Sequence, residues 1–292
     1  MKFFVPIKFC LFVLLHFFCS EHSLANFPAR GFAVILDEGR AEAKLDSFKK
    51  NIFRQNQLID HHQSYVYRFE FINFLKSGSN QVFHGILSGP SPHSSIVRLD
   101  LLSDLKSINP LKSFLLIRDV NGSVAWQWNQ NLHAVQLLTE KETLQPFING
   151  VNHTPFDFMM PFINWSSQYE KSGRVCGRHA HLFSFIFPND NGYSRGLKSV
   201  RVAIDDVYDV PLRMEYMDGG ILPERTFSLQ SFKKIGEQWV IKSIEVKDRD
   251  AKSTTRFELK GVAQHLDLSQ GFFSPQGLGS FTNLSSINFQ LL

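Results

Sequence analysis

Strand-length apolar runs follow one another through this chain with turn residues between them and no helix between neighbours, and that spacing restricts the fold more than any other feature. Runs at 64–75, 82–87, 96–101, 114–119, 124–128 and 134–139 are separated by turn formers such as Gly89-Pro90-Ser91-Pro92 and Asn121-Gly122. A second series at 200–205, 212–217, 226–232, 239–246 and 254–262 carries Asp218-Gly219-Gly220 and Ile235-Gly236-Glu237 as punctuation. Parallel strands need crossovers of a dozen residues or more, whereas antiparallel neighbours need only a tight turn. Both series therefore predict antiparallel meanders, and the fold class is mainly β with a minor helical part (α+β).

Two strands reveal how the faces divide. Tyr65, Tyr67, Phe69 and Phe71 alternate with Val66, Arg68 and Glu70, and Thr255, Phe257 and Leu259 alternate with Thr254, Arg256, Glu258 and Lys260. Side chains of a strand point to opposite faces in turn, so one face meets water and the other meets something apolar. An amphipathic helix over 38–54 precedes the first series. Asp37 is its N-cap, and Leu45, Phe48 and Ile52 form its apolar stripe.

Between the two series lies a segment of another kind. Thr154-Pro155 is an N-cap followed by proline at the first helical position, and Asp157 lies in the first turn, where a helix favours an acid. Phe156, Phe158, Met159, Met160, Phe162, Ile163 and Trp165 then crowd a short window interrupted by Pro161. A segment apolar on nearly all sides is either a buried plug or a movable lid over an apolar ligand. The window alone leaves both open.

The N-terminus reads as a cleaved secretory leader over residues 1–25. Lys2 and Lys8 precede a short apolar run, and Ser23-Leu24-Ala25 places small residues before a cleavage point between Ala25 and Asn26. The run is too short for a membrane span, which takes about 20 residues. A lipidated leader ending at Cys19 is disfavoured by the bulky Phe18. The formal net charge of +4 is too mild to imply a nucleic-acid partner. Cys10 and Cys19 leave with the leader, so Cys176 has no partner for an intramolecular disulfide, and a buried, inert thiol is expected. The 29 phenylalanines require a large apolar interior or an apolar guest. One domain over 26–270 follows, with 271–292 as a loosely attached tail holding an edge strand at 287–291.

Catalytic chemistry finds no motif. His179-Ala180-His181 lacks the Cys, Asp or Glu spacing of a zinc site. His61-His62 stands at a helix-to-strand junction, and Asp205-Asp206 with Asp209 and Pro211 reads as a polar turn. There is no G-x-S-x-G, S-x-x-K or glycine-rich phosphate loop. No cofactor, metal or catalytic residue is expected, and a hydrolase remains the least favoured class.

Two stretches together resemble a known family. The run 157–165, Asp-Phe-Met-Met-Pro-Phe-Ile-Asn-Trp, followed by Gly173-Arg174-Val175-Cys176-Gly177-Arg178-His179-Ala180-His181-Leu182-Phe183, resembles a segment of bacterial outer-membrane lipoprotein-sorting proteins of the LolA-like class. The order over 200–262 of strand, acidic turn, Pro211-Leu212, Glu215-Tyr216, Asp218-Gly219 and Trp239 is similar as well. The resemblance implies an unclosed antiparallel β half-barrel with helices covering its concave face. It implies a periplasmic carrier of lipid or lipoprotein acyl chains, with inner- or outer-membrane sorting components as partners and outer-membrane lipoprotein sorting as its task. It also implies an arginine in the cavity, which no single position of this sequence claims. On this reading the cavity and its lid are made by Phe156, Phe158, Met159, Met160, Phe162, Trp165, Tyr67, Phe69 and Trp239. The alternative is an envelope interaction or sensor module of the same fold with no transported cargo, in the periplasm or associated with a membrane of the envelope.

Overall fold

The computed structural model describes residues 16–17, 34–52, 64–75, 78–91, 94–104, 109–119, 122–188, 196–235, 238–279 and 287–292. In chain order the elements are β1 (His16–Phe17), α1 (Glu38–Ile52), β2 (Ser64–Phe74), β3 (Asn80–Gly89), β4 (Ile96–Leu102), β5 (Pro110–Ile117), β6 (Val124–Asn129) and β7 (Ala134–Leu137). The short helices α2 (Glu140–Thr143) and α3 (Pro155–Met159) follow. Then come β8 (Ser166–Val175), β9 (Arg178–Ile186), β10 (Ser199–Asp205), β11 (Pro211–Met217), β12 (Arg225–Ile235), β13 (Gln238–Asp248), β14 (Ser253–Leu266) and β15 (Gln290–Leu291).

Every pairing is antiparallel, and the strands run β7-β6-β5-β4-β3-β2-β14-β13-β12-β11-β10-β9-β8 in one sheet. Each half is a meander, and the halves join at their centre through β2 and β14. That seam is aromatic and aliphatic: Phe71 lies opposite Phe257, Phe69 opposite Leu259, and Tyr67 opposite Val262. Cross-strand pairs of this kind fix register, because a slip of one residue would turn the apolar set toward water. Glycines on β3 make room for the rings of β2. A Cβ on Gly85 would lie 2.3 Å from the Phe69 ring, and one on Gly89 would lie 2.3 Å from the Tyr65 hydroxyl.

The end strands β7 and β8 do not pair with each other, so the sheet stays unclosed. Because they lie at opposite edges, the chain between them must cross the sheet. Residues 138–165 make that crossing over the apolar face, and α1 lies on the same face. Phe48 and Ile52 of α1, Leu144, Phe147, Val151, Phe156, Met159, Met160, Phe162 and Ile163 of the crossing, and the inward residues of β2–β6 and β9–β14 form one continuous core. This is the unclosed half-barrel with covered concave face that the family resemblance implies.

Three expectations change. β8 and β9 extend the second series beyond the five strands that its spacing predicts. The stretch 271–292 is not loose where it is described. Its 3-10 turns Gln270–Phe273 and Gln276–Gly279 bury Phe272, Phe273 and Leu278. There Leu278 packs with Leu115 and Trp128 in a second, small cluster. Arg98 fastens this segment, donating to the carbonyls of Phe272 at 3.0 Å and Gly277 at 2.9 Å. The edge strand expected at 287–291 is the shorter β15, which pairs with Gly261 and Val262. Cys176 is exposed rather than buried, because it occupies a two-residue hairpin turn instead of a strand interior. Ala25, Asn26 and His61-His62 lie outside the described residues.

Candidate functional site: the plugged concave face

The crossing segment is built as a plug by short-range rules. Thr154 caps α3 reciprocally: its hydroxyl accepts from the Asp157 amide at 3.3 Å, and the Asp157 carboxylate accepts from the Thr154 amide at 2.8 Å. Pro155 opens the helix, where its missing N–H costs nothing. Met160 ends it at φ 47°, in the left-handed region, and Pro161 begins a 3-10 turn at once. The backbone is thus compact but irregular, and it aims Phe156, Met159, Met160 and Phe162 inward together.

Those side chains fill the concave face. Phe156 lies 5.9 Å from Phe162 and 6.0 Å from Tyr216 between ring centroids, and Phe162 lies 5.7 Å from Phe185. Phe158 reaches the seam between the half-sheets, 6.1 Å from Phe257, which itself lies 4.9 Å from Phe69. Trp165 is half-buried at the margin, 4.9 Å from Phe187. Met160 and Phe162 are fully buried.

A buried polar clasp ties the plug to the sheet. Asp157 accepts from the Tyr216 hydroxyl of β11 and from Arg225 Nη2 of β12, each at 2.6 Å. The same Arg225 nitrogen donates to the Asn152 carbonyl at 2.9 Å. Burial opposes the Arg225 charge, but Asp157 and Tyr216 outweigh it and hold the guanidinium above its usual range. Burial, with the Asp157 charge beside it, pushes the Tyr216 phenol well up, so it stays a neutral donor. Next to the clasp, His153 is fully buried against Phe71 at 4.8 Å, with no hydrogen-bond partner for either ring nitrogen among the described residues. Burial and then the Arg225 charge push it well below the ordinary imidazole range.

Helix α1 closes the other side. Lys44 Nζ donates to the Asp206 carbonyl at 2.6 Å and pairs with Asp209 at 2.5 Å. Ser47 also bonds Asp209. A cleft of about 380 Å³ runs between α1 and the β8–β9 edge, lined by Glu38, Ala41, Leu45, Tyr169 and Phe183 among others.

A family model described as an uncharacterized protein matches residues 112–280, more than half of the chain and including the whole plug. The chain belongs to that family. No curated protein matches the sequence. Among solved structures, a domain provisionally described as an outer-membrane lipoprotein-sorting protein from Vibrio parahaemolyticus is similar at TM-score 0.65 and 14% identity. That match covers 81% of this chain and 97% of that one. A DUF1329 family protein from Desulfovibrio piger gives TM-score 0.62 at 13% identity, covering 81% and 98%. A LolA superfamily protein from Nitrosomonas europaea gives 0.55 at 11%, covering 80% and 97%. These likenesses establish the LolA-like fold.

Within that fold the expected cavity residues fall into one body. Phe156, Phe158, Met159, Met160, Phe162, Tyr67 and Phe69 are all buried in the core of the concave face, and Trp165 packs at its margin. Trp239 lies on β13, and its side chain is outside the described residues. Sequence reasoning identified Asp157 only as the acid of the first helical turn; its partners Tyr216 and Arg225 were missed, as was His153. Arg225, on β12, is the buried arginine that holds Asp157 of the plug. His181 stands beside a carboxylate, with Nε2 2.7 Å from Asp206. Its Nδ1 faces the Tyr169 hydroxyl at 3.5 Å, and that hydroxyl accepts the Leu36 amide at 3.3 Å. The trio therefore links the approach to α1, β8, β9 and the 205–209 turn. Among the described residues no group of three His, Cys, Asp or Glu is placed to hold a metal ion.

Proposed function

We propose that this protein is a non-catalytic carrier of the bacterial periplasm that shelters lipid or lipoprotein acyl chains beneath the 154–165 plug, in outer-membrane lipoprotein sorting. The observation that carries the reading is the construction of the plug. A broad apolar sheet face is covered by Met and Phe side chains on an irregular backbone, held by a cap, the clasp and a bond from Asn164 to the Asp119 carbonyl rather than by continuous sheet pairing. Methionine and phenylalanine can repack, and an acyl chain offers about 0.8 kcal/mol for each CH2 withdrawn from water. A guest can therefore replace the plug's own contacts, entering along the cleft between α1 and β8–β9. The LolA-like fold supports this reading. The test is uptake of a fluorescent fatty acid or lipopeptide by the purified protein. Met160→Glu or Phe162→Glu should weaken uptake at least tenfold while Met160→Leu preserves it, with circular dichroism confirming that each variant folds. Uptake that survives both charges would refute the lid assignment.

A second reading has its own observation. Phe156, Met160 and Phe162 are wholly buried against the protein's own rings, as they would be in an envelope interaction module with no cargo. Native mass spectrometry after mild purification separates the two. Persistent co-purified lipid supports the carrier, and a clean apoprotein mass supports the module.

A further inference from the structure

The sheet forks near its centre. β13 pairs with β14 over Ser243–Asp248, and among the described residues its first part, from Gln238 to Lys242, takes no partner from β14. β14 instead continues beyond Glu258 along β2 as far as Leu266. Irregular pairing on both arms opens the fork. The β14–β2 register shifts between Leu259 and Gly261, and the β12–β13 register shifts on either side of the Ser231–Ser243 pair. A bulge bends its strand and sharpens the local twist, so two strands bulged at the same level part.

Each arm carries a short strand from one end of the chain. β15 pairs with Gly261 and Val262 of the β14 arm. It is pinned there, because the Arg68 guanidinium lies 4.0 Å over the Phe289 ring and a Cβ on Gly261 would come within 3.3 Å of Phe289 Cβ. β1 pairs antiparallel with the β13 arm, His16 opposite Val240 and Phe17 opposite Trp239. β12 holds the other edge of those two residues, with Lys233 opposite Val240 and Lys234 opposite Trp239. β1 therefore occupies the edge that β14 leaves. A cleft of about 460 Å³ remains at the fork, lined by Ile235, Val262, Ala263 and Phe289 among others.

The two arms differ in what stays on them. β1 falls within residues 1–25, which read as a cleaved leader, so cleavage uncovers the β13 edge while β15 remains. An uncovered edge presents N–H and C=O groups on which another extended chain can pair. Charge selects that chain. Residues 229–244 hold Lys233, Lys234 and Lys242 against Glu237 alone, and Lys233 and Lys234 are exposed. On the other arm Lys260 is matched by Glu70 at 3.1 Å and Glu258 at 3.2 Å. The positive surplus lies on the β13 side.

We propose that, once the leader is removed, the β13 arm of the fork takes up one extended, acidic segment of a partner polypeptide as an added antiparallel strand. The inference rests on the leader reading and is independent of acyl carriage. Backbone pairing supplies affinity, and the lysines supply the preference for acid.

The test titrates the exported protein, its N-terminus read by mass spectrometry, with a fluorescent peptide Thr-Glu-Val-Glu-Val-Glu-Thr and with the counterpart in which lysine replaces glutamate. The acidic peptide should bind about five- to tenfold tighter, and an excess of a peptide of residues 13–20 should displace it. Lys233→Glu with Lys242→Glu should invert the preference, a gain of binding for the lysine peptide that an unfolded variant would not show. On addition of the acidic peptide, hydrogen exchange should slow at alternate amides within 238–242 and stay unchanged at the outer strands β7 and β8. Failure of either peptide to bind, equal affinity for both, or protection at β7 or β8 instead would overturn the inference. So would a preference that survives the double substitution, or a mass that still includes residues 1–25.

Discussion

The carboxylate of Asp157 and the guanidinium of Arg225 meet at 2.6 Å with both side chains almost wholly withdrawn from water. Removing one member of a buried ion pair strands the other charge in a medium that cannot solvate it, at a cost of about 3–5 kcal/mol. Arg225→Met should therefore lower stability by roughly 3 kcal/mol, read from the midpoint of urea unfolding at constant slope. A loss below about 1 kcal/mol would mean that the pair is solvated and the clasp open in solution.

His153 gives stability a pH dependence whose sign is determined. Its imidazole stays neutral in the folded protein, because burial and the Arg225 charge hold it well below its ordinary value of 6.5. The unfolded chain binds a proton near that value and the folded chain does not, so stability is fully present above it and falls as pH drops below it. The slope approaches about 1.4 kcal/mol per pH unit from this group alone. His153→Phe fits among Phe71, Phe227 and Phe257 and leaves no unpartnered nitrogen. It should be neutral or stabilising at pH 7 and flatten the profile between pH 6.5 and 5. Unfolding curves at several pH values for both proteins would show an unchanged slope if the assignment were wrong.

What could be read from the sequence was what short windows determine. Alternation such as Thr254 to Lys260 located the strands, and Thr154-Pro155 with Asp157 located the capped turn of α3. The polar strand β8 escaped because Ser166–Val175 lies at the sheet edge, where little is buried and no apolar period arises. The clasp escaped for a different reason. Tyr216 and Arg225 lie 59 and 68 positions beyond Asp157, and only the crossing from β7 to β8 brings them together. The same holds for residues 270–279, whose scattered Phe272, Phe273 and Leu278 form no pattern until Arg98, more than 170 positions earlier, draws their carbonyls in.

Cys176 and Gly177 form the β8–β9 turn with φ 49° and 77°. Positive φ at both central positions is the geometry that Asn-Gly adopts most readily, whereas cysteine pays a steric cost there. Cys176→Asn should raise stability by a few tenths to about 1 kcal/mol, measured as a higher unfolding midpoint. The wild-type thiol, exposed in this turn, should react with a maleimide reagent at native concentrations of salt and without denaturant. Labelling that required denaturant would contradict the position of the turn.

Arg98 is fully buried and holds four groups at once: the Asp100 carboxylate at 3.0 Å, the Phe272 and Gly277 carbonyls, and the Phe272 ring, which lies 3.9 Å from the guanidinium carbon. Burial raises the Asp100 pKa even with Arg98 opposing that effect, so the carboxyl can take up a proton when its partner is gone. Arg98→Met should therefore spare the sheet more than a stranded charge would suggest, and release the 270–279 segment instead. Hydrogen exchange should rise selectively at the amides of Phe272, Gly277 and Leu278, and limited proteolysis should cut after Phe272 or Phe273. Uniform loss of protection across β3–β6 would show that Arg98 holds the strands rather than the C-terminal turns.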